Sequence, residues 1–342
     1  MNKIFSPHQK MLLGIAIGDA YGAGYEFRWP DLKNYQNISL EKYIKSSYPD
    51  STNFIHINHF PGMYTDDTQM SIAVAELLVS NKPFTKENLA DKFVECYKRD
   101  TILGYAQGFQ KFLDSINSGK EFIEKINPSS IRNGATMRAV PIGLIKDIDK
   151  VVDYATINAK LTHDTPKGIA SSVAVALMSH LKFYEKYNYH DSKRFKYYDG
   201  SMLEIMSILH DKIKSIDNES SEYFQRIWPM EKFDPKLLFG EKHAEKGVPC
   251  DGMRTAGAVL YLRSRDDFES PKAILTNAVS LGGDTDSVAS IGLGIGLIRN
   301  SLDHLPEFLY NDLTNHKYGR DYLLSLGSDL EKKFKLPYVS VR

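Results

Sequence analysis

An all-α fold is predicted for this 342-residue chain, and three observations carry the prediction. Segment after segment places apolar residues three and four apart, almost nothing alternates with the two-residue period of a strand, and Gly14, Gly18 and Gly22 recur one helical turn apart. Taken in order, Met11 to Tyr25 carries that glycine face, which lets a second helix approach closely. Asp31 to Met63 holds Asn, Ser, Tyr, Pro and His with little periodicity and reads as a long irregular connection. Helical spacing then runs over Thr68–Ser80, Thr85–Arg99, Tyr105–Asn117, Met137–Ile148, Val151–Leu161 and Pro166–Tyr184. Leu181 to Ser201 mixes Phe and Tyr with Lys and Arg. Such a mixture could stack on nucleic acid, but a neutral chain without a nucleic-acid motif favours a solvated excursion. Helix resumes over Met202–Ile216, and a polar loop with Pro229, Pro235 and Pro249 leads to Met253–Arg263, Pro271–Val279 and Val288–Leu302. Gly292, Gly294 and Gly296 in the last of these follow no strand and suit close helix packing better than a dinucleotide fingerprint. No linker rich in Pro, Gly or Ser divides the chain and no repeat of solenoid period occurs, so residues 1–342 are expected to form a single compact multi-helix domain.

Composition narrows the function classes. A hydrophobic fraction of 42% suffices for a substantial core. Lysine plus arginine equals aspartate plus glutamate at 43 each, so no overall field draws nucleic acid or an anionic membrane, and any anionic substrate must be held locally. Cys96 and Cys250 stand far apart in no metal-ligand spacing and read as two reduced thiols. The first ten residues lack a signal-peptide layout and no apolar run approaches the ~20 residues of a membrane span. The expectation is a soluble, cytoplasmic monomer with no membrane partner and no stable nucleic-acid partner.

Two short segments carry the chemistry. Gly282-Gly283-Asp284-Thr285-Asp286-Ser287 sets two carboxylates and two hydroxyls ahead of an apolar run, and Tyr64-Thr65-Asp66-Asp67-Thr68 does the same far upstream. Hard cations such as magnesium take oxygen ligands of this kind and keep several waters. Aspartate and threonine also cap helix starts without any metal. A cap needs one acceptor, however, whereas here carboxylates lie side by side and repel one another unless a cation neutralises them. The two clusters therefore read as halves of one shared metal site.

Five motifs in order resemble the ADP-ribosylglycohydrolase family, of the dinitrogenase-reductase-activating and ADP-ribosyl-acceptor hydrolase type. They are Gly18-Asp19-Ala20-Tyr21-Gly22 with Glu26; Tyr64 to Thr68; Asn133-Gly134-Ala135-Thr136-Met137-Arg138 with Pro141 to Leu144; Thr162-His163-Asp164; and Leu281 to Ser287, so that the match runs from about Met11 to Asn300. The resemblance implies an all-helical domain with a di-metal site holding two divalent cations, Mg2+ or Mn2+. Its metal ligands fall on Thr65, Asp66, Asp67, Asp284, Asp286 and Ser287, the last standing where threonine is common. Glu26, Asp66, Asp67 and Asp284 are implied as the catalytic carboxylates. Gly104-Tyr105-Ala106-Gln107-Gly108 resembles a phosphate-contacting loop, which assigns Gly104, Tyr105 and Gly108 to substrate, although Ala106 stands where glycine is frequent.

Physical reading of four more residues adds substrate contacts. Asn133 and Gly134 precede a helix whose amides and dipole suit a pyrophosphate. His163 follows a helix end, where an imidazole suits adenine or ribose hydroxyls, and Arg138 is open between a ligand and an ion-pair partner. Gly283, with Gly282, lets backbone approach the site. The implied activity is hydrolytic removal of ADP-ribose, in which water attacks the anomeric carbon of the distal ribose through an oxocarbenium-like state and a carboxylate such as Glu26 moves the proton. Arginine on a modified protein is the preferred acceptor by family frequency. Linkages to serine, nucleic acid or small molecules, another metal-dependent hydrolase activity, and a catalytically silent binding protein are the alternatives.

Overall fold

The first helix opens on a capping box: the Ser6 hydroxyl accepts the Gln9 amide and the Gln9 side chain accepts the Ser6 amide. The computed structural model describes residues 4–335 apart from 29–37, 39, 47–59, 103, 185–199, 229, 231 and 266–269. In chain order the helices are α1 (Pro7–Gly22), α2 (Asp66–Val79), α3 (Lys86–Arg99), α4 (Gln107–Asp114), α5 (Gly119–Lys125), α6 (Gly134–Met137), α7 (Ile148–Lys160) and α8 (Pro166–Tyr184). They continue with α9 (Gly200–Lys214), α10 (Asn218–Ile227), α11 (Pro235–Phe239), α12 (Gly252–Arg263), α13 (Pro271–Ser280), α14 (Thr285–Gly296), α15 (Glu307–Asn311) and α16 (Arg320–Lys333). No strand occurs among the described residues, only the isolated bridges Ser129 to His163 and Val248 to Gly283. Most of the irregular connection expected over Asp31 to Met63, and most of the aromatic-basic stretch at Leu181 to Ser201, lies outside the described residues.

Helices α1 and α14 are buried on all sides and form the centre, because neither sequence offers a polar face to water. Their axes meet through the glycine stripe. A Cβ on Gly14 would stand 2.6 Å from the Leu293 carbonyl oxygen, on Gly18 2.2 Å from that of Ala289, and on Gly22 2.5 Å from the Asp286 Cα. Around this pair pack α2, α13, α15 and α16 against α1, and α2, α8, α12 and α13 against α14, all sharing one contiguous hydrophobic core.

Tyr105–Asn117 shortens to α4, the short helices α5, α11 and α15 carry no periodic signal, and three further departures from the periodicity shape the core. Met137–Ile148 is not one helix: α6 stops at Met137, a 3-10 turn spans Val140–Leu144, and α7 starts afresh under an Asp147 cap. Pro141 in that turn brings no amide and cannot continue an α-helix. The stretch expected as a polar loop before Met253 contains α10, which Asp217 caps through the Ser220 amide and which buries Phe224 and Ile227. Beyond Leu302, α16 lays Leu323, Leu326 and Leu330 into the core beside α1, an i, i+3, i+7 stripe diluted by charged neighbours.

An ion cluster ties α16 and α3 to α2. Glu76 receives Arg99 through both guanidinium ends, Lys92 at 3.3 Å and the Tyr322 hydroxyl. Burial alone would raise the Glu76 pKa, but Arg99, Tyr322 and Lys92 together hold it below the usual glutamate range. A carboxylate whose pKa is lower in the folded state stabilises above its unfolded pKa and loses that contribution as pH falls through the folded value. Glu76→Gln is therefore expected to cost about 3–5 kcal/mol at neutral pH, the usual penalty for breaking a buried pair, and the difference from the parent should shrink in acid. Urea unfolding of both proteins at pH 7 and pH 4 checks this; equal midpoints at pH 7 would remove the cluster from the stability account.

Candidate active site

The glycine-mediated crossing brings the starts of α2 and α14 beside the C-terminal half of α1. Asp19 on α1 is fully buried and accepts the Thr65 amide at 2.9 Å, the Thr65 hydroxyl at 2.8 Å, the Thr68 amide at 3.0 Å and the Thr68 hydroxyl at 2.6 Å. It thus supplies the N-terminal acceptor of α2 from another helix, and burial still pushes its carboxyl up to about 6 against those four bonds. Thr65, in the N-cap position of α2, makes no side-chain cap bond, and neither does Asp284 at the N-cap of α14. Neither N-cap residue therefore acts as a cap through its side chain.

Backbone geometry aims the second cluster. Gly282 and Gly283 adopt φ of +68° and +75°, a region that favours glycine, and a Cβ on Gly283 would sit 2.1 Å from the Val248 carbonyl oxygen. The Val248 amide donates to Gly282 O at 3.0 Å, the Asp284 amide to Val248 O at 2.8 Å, and the Phe27 amide to Gly283 O at 2.9 Å. The last bond carries the preceding residue, Glu26, to the start of α14. Oxygen atoms of Glu26, Asp284 and Asp286 all lie within 4.8 Å of one another, and all three residues are buried.

The two clusters share one field. Burial, then Asp19, Asp66 and Asp284 push the Asp67 carboxyl far above the usual range; burial, then Asp19, does so for Asp66; burial, then Glu26, Asp284 and Asp67, for Asp286. Asp67 Oδ1 is buried with no hydrogen-bond partner, while Asp286 Oδ1 accepts the Ser287 amide at 2.8 Å. Buried carboxylates in mutual repulsion, with hydroxyls beside them and no imidazole in the set, are the donor chemistry that hard divalent cations take.

The other residues singled out from sequence divide by position. Asn133 donates both amide hydrogens into the cluster, to Asp284 Oδ2 and to Ser287 Oγ, each at 2.9 Å, so it orients two of the cluster's oxygens. Gly134 follows it, and a Cβ there would meet His163 Cε1 at 2.9 Å, which puts the imidazole against the start of α6. Gly104, at φ +114°, leaves room for the Asp66 carboxylate, since its Cβ would lie 2.2 Å from Oδ1. The Tyr105 hydroxyl turns away to Gln69 Oε1 at 2.7 Å, and Gly108 lies exposed on α4 with open space beside it. Arg138 makes no ion pair among the described residues: its fully buried guanidinium bonds Asn158 Oδ1 at 2.7 Å, Asn158 O at 3.0 Å and Thr162 Oγ1 at 2.7 Å, over the Phe93 ring. Two neighbours of the cluster were given no role from the sequence. Asp19 was visible as a lone carboxylate inside an apolar glycine stripe, whereas the Cys250 thiol beside Asp284 carries no signal, because only the Val248–Gly283 bridge brings them together.

A helical core that converges buried carboxylates from two helix starts defines a class of protein with a charged, cation-compatible centre. The chain belongs to the ADP-ribosylglycohydrolase family, whose model matches residues 3–339, and it is an enzyme of that kind, a hydrolase that removes ADP-ribose from a modified acceptor. It is 26% identical to human (Homo sapiens) ADP-ribosylhydrolase ARH3 over 86% of each chain. The chicken (Gallus gallus) ARH3 is 30% identical over 82% of this chain and 81% of its own. The ADP-ribosyl-[dinitrogen reductase] glycohydrolase of Rhodospirillum rubrum is 24% identical over 51% of this chain and 58% of its own. A solved structure described as an ADP-ribosylglycohydrolase-related protein complex shares the fold at TM-score 0.63, with 19% identity over 96% of this chain and 98% of that one. No helix among the described residues is long and apolar enough to cross a membrane.

Proposed function

We propose that this chain hydrolyses the glycosidic bond between ADP-ribose and a modified protein side chain, using two divalent cations, Mg2+ or Mn2+, held by Thr65, Asp66, Asp67, Asp284, Asp286 and Ser287. The observation that carries the reading is the division of labour at α2: Asp19 satisfies the helix start, so Asp66 and Asp67 are not needed as caps, and Asp67 Oδ1 is buried without a hydrogen-bond donor. Held there, the cations would supply Lewis-acid polarisation and lower the pKa of a bound water. Asn133 keeps Asp284 and Ser287 in register throughout. Glu26, held beside Asp284 and Asp286, stands where a carboxylate takes a proton from water and returns it to the departing acceptor.

Arginine is the acceptor we propose first. Asp19, Glu26, Asp66, Asp67, Asp284 and Asp286 outnumber the charges of two divalent cations even with Arg138 included, and the surplus suits a cationic leaving group. Matched peptides carrying ADP-ribose on arginine or on serine, with ADP-ribosylated nucleic acid and a small ADP-ribose ester alongside, test the acceptor; faster release from any of the last three reassigns it. Excess EDTA is expected to abolish release and Mg2+ or Mn2+ to restore it. Turnover that survives thorough chelation would remove the cations from the proposal.

A further inference from the structure

His163 ends a chain of hydrogen bonds that starts at Arg138 and runs through Thr162. Arg138 Nη2 donates to Thr162 Oγ1 at 2.7 Å, and a guanidinium has nothing to accept with. Thr162 Oγ1 therefore receives that bond and keeps its single hydrogen to give. Its other polar neighbour is His163 Nδ1, also at 2.7 Å. A ring nitrogen that accepts this hydrogen carries none of its own, so a neutral imidazole must bear its proton on Nε2.

The start of the chain is rigid. Arg138 is clamped by Asn158 through two atoms, and Asn158 Nδ2 is held in turn by Ala135 O at 2.8 Å and Ser172 Oγ at 3.0 Å. Its end faces the start of α6, where a Cβ on Gly134 would lie 3.3 Å from His163 Nε2, one residue from the asparagine that holds Asp284. We propose that Arg138 and Thr162 are positioning residues that fix His163 as the Nε2–H tautomer, which makes it a one-way hydrogen-bond donor to an oxygen of the bound ADP-ribose. This rests on the functional reading above. Burial and the Arg138 charge also hold the imidazole down to about 3, so the ring stays neutral beside its donor.

The tautomer is readable without substrate. Long-range 1H–15N correlation spectra of the full-length protein, with the His163 signals identified by their loss in His163→Gln, are expected to show an unprotonated Nδ1 and a protonated Nε2. Thr162→Val keeps the side-chain shape and removes the relay. It should mix or reverse the tautomers and weaken ADP-ribose binding about tenfold by calorimetry, the effect of one lost hydrogen bond. Thr162→Ser should restore both. A protonated Nδ1 in the parent, or a Thr162→Val protein with unchanged spectrum and affinity, overturns the proposal. A parent that shows the expected tautomer yet binds no ADP-ribose would instead overturn the substrate reading and, with it, the assignment of the donor to ADP-ribose.

Discussion

Asp67→Asn is expected to lower the rate of ADP-ribose release at least ~100-fold, the low end of what a lost acid–base or charge-stabilising group costs. Asparagine preserves shape and hydrogen-bonding length, so a loss of this size isolates the charge. The fold should survive and, without cations, gain: a carboxyl whose folded pKa lies above its unfolded one favours the folded state only at low pH and loses that preference as pH rises through the folded value, so at pH 7 Asp67 opposes folding. The metal-free variant should melt at or slightly above the parent, and the rise in melting temperature that Mg2+ gives the parent should shrink or vanish. Near-parental turnover together with an undiminished Mg2+ shift would return Asp66 and Asp67 to ordinary helix-start residues.

Gly18→Ala should unfold or severely destabilise the protein, by about 3 kcal/mol or more, because the added methyl meets backbone and cannot be absorbed by a rotamer change. Its Cβ would fall 2.2 Å from the carbonyl oxygen and 2.5 Å from the carbonyl carbon of Ala289. Gly292→Ala in α14 is the control. There the new Cβ would meet only side-chain atoms of Ile274 at 3.4 Å and Leu262 at 3.7 Å, an ordinary contact, and alanine is the better helix former by roughly 0.5–1 kcal/mol. Thermal melts of the two variants should therefore diverge in opposite directions from the parent. Equal stabilities would mean that α1 and α14 do not depend on that close crossing. Separating the two helices also moves Asp19 away from the carboxylates of α14, so activity should fall with stability in Gly18→Ala.

Sequence alone determined the helical class, the close-packing glycine face of α1 and the presence of two acidic, hydroxyl-bearing segments at Thr65–Asp67 and Asp284–Ser287, because period and residue chemistry are local properties that a chain displays whatever its path. The family followed from the order of the motifs for the same reason. Short or diluted elements were less legible: α10 offers ten residues, and α16 spreads three core leucines among charged neighbours, so tertiary burial rather than local pattern stabilises them. That the start of α2 takes its acceptor from another helix was decided only in three dimensions. Asp19 lies 46 residues before Thr65, and the four donors it accepts from Thr65 and Thr68 are what release the α2 carboxylates from capping. Asn133 likewise reads as a helix-start residue until the fold sets it 151 residues away against Asp284. Arg138 reads equally as a substrate ligand or an ion-pair partner until burial and Asn158 turn it into an internal donor. In each case the deciding partner comes from a distant segment, and a hydrogen bond exists only once folding has brought its donor and acceptor within about 3 Å.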